Sequence, residues 1–299
     1  MSNSISPDRR SPAARRSWLF VPGADREALL AGPRSGADVL IQEMEDFVPA
    51  DRRPEARALC AEAVAAWRAA GVVAAVRVNP FWDGGLADLE AAMAAGPDII
   101  ALPKVSAPEH MVQLDRAVTD LERRHGRLPG STELLANIES ARGLMQTYDI
   151  ANSSPRITAC LVASEDMAAD LGAARSRDGA ELAYARARFH LECVAAGVVS
   201  VDCPYTYADA AGAEAETETA RRLGFTAKSA ALPAHIAIIN RVLTPNAEAI
   251  GQARAVIAAF EAARTAGNDR AEVAGSLVEK PAYHAAGRLL ARARMLGGV

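Results

Sequence analysis

Two stretches, LeuLeuAlaAsnIleGluSerAlaArgGly (134–143) and ThrAlaCysLeuValAlaSerGluAsp (158–166), decide the fold of this chain. Each is a short apolar run that ends near a carboxylate, Glu139 or Asp166, and gives way to a segment of helical character. Short apolar runs bounded by turn signals fit strands buried on both faces, and the two carboxylates lie about one strand–helix repeat apart. The same unit recurs in both directions. Its runs are Trp18–Val21, Val39–Gln42, Val72–Val78, Ile99–Leu102, Leu134–Ile138, Thr158–Ala163, Val198–Val201 and Phe225–Ser229. Between them lie helical patterns such as Pro54–Ala70, with Pro near its first turn and Gly71 past its end, and His110–His125, closed by Gly126. Alternating strands and helices with right-handed crossovers make a parallel sheet. Eight units without a Gly-rich dinucleotide fingerprint or a Walker-type loop predict a closed (β/α)8 TIM barrel rather than a doubly wound sheet.

After the eighth run the pattern changes. Asn246–Ala266 and Ala282–Met295 read as two helices separated by a polar Asn268-Asp269-Arg270 linker. The expected organisation is a barrel over 16–243 and a C-terminal helical extension over 244–299, acting as a lid or an oligomerisation segment. Residues 1–15, rich in Pro, Ser and Arg, read as a disordered tail; the Arg15-Arg16 pair lacks the apolar segment of an export signal.

The 299 residues carry 33 Lys and Arg against 37 Asp and Glu, a net charge of −4. Mild acidity gives no electrostatic case for a nucleic acid or an anionic membrane surface as partner. No window offers ~18 uninterrupted apolar residues, so no membrane span is expected. Cys60, Cys160, Cys193 and Cys203 contain no C-x-x-C pair and read as free thiols of a cytoplasmic protein.

Barrels of this kind build their active sites at the C-terminal ends of the strands. The polar residues closing the runs are, in order, Glu43 with Glu45 and Asp46, Arg77 with Asn79, Lys104, Glu139, Glu165 with Asp166, Asp202, and Lys228. Glu139 and Asp166 close consecutive strands, and two carboxylates with room for water suit Mg²⁺, which keeps several waters in its shell. Pairing with a nearby arginine such as Arg142 is the structural alternative. Arg77 can clamp a carboxylate or an enolate oxygen; a buried ion pair with Glu43 or Glu45 is compatible with that role. There are three lysines, Lys104, Lys228 and Lys280, against thirty arginines, and the two at strand ends read as charged partners of carboxylates rather than Schiff-base nucleophiles. None of the five histidines closes a strand, which argues against a zinc site or a His base.

The motifs ArgSerTrpLeuPheValProGly (16–23), GluMetGluAspPheValPro (43–49), ValArgValAsnPro (76–80), LeuProLysVal (102–105), IleGluSerAlaArgGly (138–143), SerGluAspMetAlaAlaAspLeuGly (164–172) and GlySerLeuValGluLysPro (275–281) occur in this order. Together they resemble the citrate lyase beta-subunit-like proteins of the HpcH/HpaI aldolase superfamily, which includes malyl-CoA and citramalyl-CoA lyases. The resemblance implies a TIM barrel, Mg²⁺, a homotrimer or hexamer, and cleavage of a β-hydroxy acyl-CoA thioester to an α-keto acid and a short acyl-CoA. It also implies that Glu139 and Asp166 ligate the metal, that Arg77 faces the substrate oxygens, and that Glu45 and Asp46 order the site. Glu279 would reach the site of a neighbouring subunit, and Arg16, Phe20, Lys104, Ser164, Glu165 and Lys228 would bind substrate or cofactor. The sequence departs from the family pattern at four places, the first being Glu279, where Asp is usual. Leu232 stands where a His is common, Arg26 is the one basic residue left just after the ProGly turn, and Gln42-Glu43 replaces a hydrophobic-Asp pair. These departures leave an aldolase acting on free hydroxy keto acids, or a non-catalytic subunit of a lyase complex, as alternatives.

Overall fold

A computed structural model describes residues 9–298 of the chain. Eight parallel strands close into a barrel in sequence order. They are β1 (Ser17–Pro22), β2 (Val39–Glu43), β3 (Val73–Arg77), β4 (Ile99–Leu102), β5 (Glu133–Ile138), β6 (Ile157–Val162), β7 (Val199–Asp202) and β8 (Ala227–Ala230). The barrel helices are α1 (Arg26–Ala31), α2 (Arg53–Ala69), α3 (Gly85–Ala95), α4 (Pro108–Arg124), α5 (Ala141–Leu144), α6 (Thr147–Asn152), α7 (Glu165–Asp170), α8 (Ala183–Ala196), α9 (Ala210–Leu223) and α10 (Ile236–Val242). β1 pairs with both β2 and β8, which completes the ring.

Alternate residues of each strand fill the interior. Trp18 and Phe20, Val39 and Ile41, Val73 and Ala75, and Leu135 belong to one buried cluster. Because the side-chain period of a strand is two, the next inward positions toward the mouth are Glu43, Arg77 and, on β5, Asn137 and then Glu139. Polar groups therefore enter the barrel where its apolar filling stops. The β1–α1 turn is fastened to the same level, since the Gly23 N–H donates to Glu43 O at 2.8 Å. A Cβ on Gly23 would lie 2.2 Å from that oxygen, so the turn requires glycine.

The described part of the expected N-terminal tail is ordered, which corrects that expectation from Arg9 onward; residues 1–8 lie outside the described residues. Arg9 pairs with Asp98 at 2.9 Å and Glu133 at 3.1 Å, and Arg10 pairs with Asp38. Arg15, fully buried, grips Glu133 through two bonds of 2.7 and 2.8 Å. The arginines that suggested a solvated tail are here the counter-ions of carboxylates at the N-terminal ends of β2, β4 and β5.

Two compact units divide the chain, one reaching Arg241 and the other beginning at Val242. In the second, α11 (Ala247–Thr265) packs on α12 (Lys280–Met295) through Ile250, Ala253, Leu290 and Ala293. Between the helices runs a hairpin of β9 (Ala271–Val273) and β10 (Ser276–Val278), where a polar linker was expected. Its turn places Ala274 at φ 51° and Gly275 at φ 77°. Three-residue strands and an Ala in place of the usual Asn or Asp explain why the pattern is silent in sequence. Among the described residues no helix is long and apolar enough to cross a membrane.

Candidate active site

Arg77 is the centre of the barrel mouth. It closes β3 on the inward face, is buried, and lies with its guanidinium over the Phe20 ring, 4.9 Å from the centroid. Its Nε edge is tied to Glu43 of β2. Its terminal nitrogens reach Glu45 at 3.3 Å, Glu139 at 3.4 Å and Asp46 at 3.5 Å. Charge-assisted bonds are normally 2.7–2.9 Å, so one edge of the fork is fixed while the other is loosely held and faces the mouth.

Lys104 braces the same carboxylates from β4. Its ammonium bonds Glu45 and lies 3.7 Å from Asp46, while its main-chain N–H donates to Glu139 at 3.0 Å. That amide is aimed by a φ of 53°, a left-handed conformation costly for a residue with a side chain. Asp166 sits in the first turn of α7, after Ser164, whose hydroxyl reaches Pro204 O at 3.5 Å. Glu165 points elsewhere, accepting from Arg175 at 3.1 Å and Thr206 at 3.0 Å.

Carboxylates outnumber cations here, and their proton affinities follow. Burial pushes Glu139 up to about 8, with Glu45 and Asp166 adding to the rise and Arg77 opposing it. Burial also raises Asp166, with Asp46 adding to it. Glu43 and Glu45 are raised chiefly by burial, despite Arg77. Such a cluster holds more negative charge than its cations neutralise, and a further cation would relieve it. The donor set suits a hard divalent ion. Among the described residues no three His, Cys, Asp or Glu side chains form a complete metal cage, and Glu139 with Asp166 offer the one or two carboxylates that Mg²⁺ typically takes alongside its waters.

The comparison with protein families matches residues 16–233 to HpcH/HpaI aldolase/citrate lyase. The chain belongs to this family. It is a lyase. It is similar to citrate lyase subunit beta of Leuconostoc mesenteroides subsp. cremoris, 34% identical over 281 residues that cover 92% of each chain. It is 30% identical to the L-malyl-CoA/beta-methylmalyl-CoA lyase of Cereibacter sphaeroides, with 99% of each chain covered. Among solved structures it is similar to the CitE protein of Mycobacterium tuberculosis in complex with magnesium, acetoacetate and coenzyme A. That likeness has a TM-score of 0.76 and 26% identity, and it covers 94% of this chain and 99% of the other.

Set in this family fold, Arg77, Glu45, Asp46, Lys104, Glu139 and Phe20 share direct contacts, and Asp166 lies within electrostatic reach of Glu139. Besides Glu165, two further expected binding residues are elsewhere. Arg16 precedes β1 and pairs with Asp38 at 2.9 Å, at the opposite end of the barrel from the mouth. Lys228 takes the outward register of β8 and is enclosed with Asp202 at 2.7 Å and Glu216 at 3.1 Å, Asp202 also binding Arg186. Burial opposes the charge on Lys228, but Asp202 and Glu216 outweigh it and raise its pKa. A strand-end position alone does not specify the face, and the outward register removes both Asp202 and Lys228 from the mouth. Glu43, a strand-end candidate and a possible ion-pair partner of Arg77 in sequence, is aimed inward by the alternation Val39, Ile41, Glu43. Arg26 is engaged by Glu62 of α2. Glu279, in the second unit, is the N-cap residue of α12 and pairs with Arg270 at 2.9 Å.

Proposed function

We propose that this protein is a Mg²⁺-dependent carbon–carbon lyase. Its substrate would be a β-hydroxy acyl-CoA thioester of the malyl-, citramalyl- or citryl-CoA type, and its products an α-keto acid and a short acyl-CoA. The observation that carries the reading is the half-fixed Arg77 fork beside Glu139 and Asp166. The substrate class is suggested by the relatives' names, which include a malyl-CoA lyase and a protein solved with coenzyme A.

Glu139 and Asp166 would hold the ion, which when bound supplies Lewis acidity to the hydroxyl and carboxylate oxygens of the substrate. The hydroxyl would pass its proton to a water at the barrel mouth, its carbon becoming the keto carbon, and the electron pair of the broken C–C bond would pass to the α-carbon of the acyl group as an enolate. Arg77 offers its outer nitrogens to the enolate oxygen, while Glu43 fixes the guanidinium and Phe20 supports its face. Glu45 and Asp46 keep Lys104 and Arg77 in register. Glu279 of a neighbouring subunit, in a homotrimer or hexamer, would return a proton to the enolate carbon.

A coupled assay for keto-acid release from malyl-, citramalyl- and citryl-CoA, with the free acids as controls, tests this. Turnover of at least one thioester, abolished by EDTA and restored by Mg²⁺, is the expected result. Release from the free acids alone would support the carrier-free aldolase reading motivated by the thinned basic edge at Arg26. No release from any substrate would leave the non-catalytic subunit.

A further inference from the structure

Asn137 stands one pleat step below Glu139 on the inward face of β5 and is fully buried. The barrel interior at and below this level is filled by residues such as Trp18, Ile41, Ala75, Ala101 and Leu161. Neither the amide nitrogen nor the oxygen of Asn137 has a hydrogen-bond partner among the described residues. A buried carboxamide without partners weakens a core, and a leucine of similar size would fill the same space without that cost. Packing therefore gives no reason for an asparagine here.

Glu139 gives one. Two residues further along the same strand face, it is held on one oxygen by Lys104 N at 3.0 Å and on the other by Arg77 at 3.4 Å. The second bond is long, and in the proposed reaction it is the one that Arg77 would give up on turning to a substrate oxygen. A side-chain amide directly beneath the carboxylate can donate in its place.

We propose that Asn137 is a positioning residue, whose side-chain amide donates to Glu139 and holds that carboxylate in the orientation that receives a divalent cation. This rests on the reading of Glu139 as a metal ligand. Partners that orient a ligand side chain typically change metal affinity about 10–100-fold when removed.

The test compares Asn137→Leu and Asn137→Ser with the parent by melting temperature, Mg²⁺ affinity from calorimetry, and the split between kcat and KM. In Asn137→Leu the melting temperature is expected to stay level or rise while Mg²⁺ binding weakens at least about tenfold. Its kcat should fall with little change in KM. Asn137→Ser, which keeps a hydrogen-bonding group and leaves room for a water, should recover part of the affinity. Unchanged Mg²⁺ affinity in folded Asn137→Leu overturns the proposal, as does a lowered melting temperature as its sole effect. If Asn137→Leu does not fold, Asn137→Ala is judged by the same readings. A parent that binds no Mg²⁺ refutes the metal reading instead. The Asn137–Glu139 contact is then decided by a crystal structure, where an Nδ2–carboxylate distance beyond hydrogen-bonding range rejects it.

Discussion

The two ends of the barrel are made from the same residue types and are set to opposite electrical states. At the base, Arg9, Arg10, Arg15, Arg16 and Arg68 surround Asp38, Asp98 and Glu133. At the mouth, Glu43, Glu45, Asp46, Glu139 and Asp166 surround Arg77 and Lys104. Burial would raise Glu133 as it raises Glu139, but two Arg15 bonds and the Thr158 hydroxyl reverse the effect and hold Glu133 below the ordinary range. At the mouth burial wins, and Glu139 reaches about 8. Surplus cations complete a cluster and make it structural, whereas surplus carboxylates leave one that a bound cation would complete.

Breaking the base should produce the largest change. Arg15→Ala leaves Glu133 buried with its main counter-ion removed, a loss typically worth about 3–5 kcal/mol. Urea unfolding should register it, with kcat preserved below the melting range. A loss under about 1 kcal/mol would mean that Arg9 alone closes the base and that the contrast between the two ends is overstated.

The mouth should respond in kinetics instead. Arg77→Lys keeps a charge but loses the planar fork, so kcat is expected to fall about 10²-fold while Mg²⁺ affinity changes little. If kcat/KM stays within about twofold of the parent, Arg77 is a structural ion-pair residue and the mouth resembles the base more than its charge balance suggests.

The smallest effect is a difference in pH response. Glu133 has a lowered folded pKa, so its stabilisation is complete above its unfolded value of about 4.3 and disappears as pH falls through the folded value. Glu139 has a raised one. Between about 4.3 and about 8 the unfolded chain has released a proton that the folded chain keeps, so stability falls as pH rises through that window. The metal-free protein should therefore lose a few degrees of melting temperature between about pH 5 and 8, and Glu139→Gln should flatten that slope. A slope unchanged in the variant would assign the effect to another group.

The sequence exposes this architecture unevenly. The eight runs lie within a residue or two of the observed strands because each pairs an apolar stretch with a Pro, Gly or charged stop, and the inward positions follow from period two once one strand is placed. What periodicity does not carry is which strand-end groups share a face. Lys228 and Asp202 close their runs as conspicuously as Arg77 does, yet take the outward register and bind each other. The base network was equally hidden. Its cations lie in a polar segment with the composition of a solvated tail, and their partners are distant in sequence, so no local pattern joins them.

That distance has a consequence for how the barrel assembles during synthesis. β1 needs neighbours on both edges, and the second, β8, is among the last barrel elements to leave the ribosome. Arg9 and Arg15, just ahead of β1, can pair with Asp98 and Glu133 once the start of β5 has emerged from the ribosome. The opening strand can thus be moored to the fourth and fifth while β7 and β8 do not yet exist. The strap then acts as a temporary hoop, holding an incomplete ring in the curvature that the last strand will close.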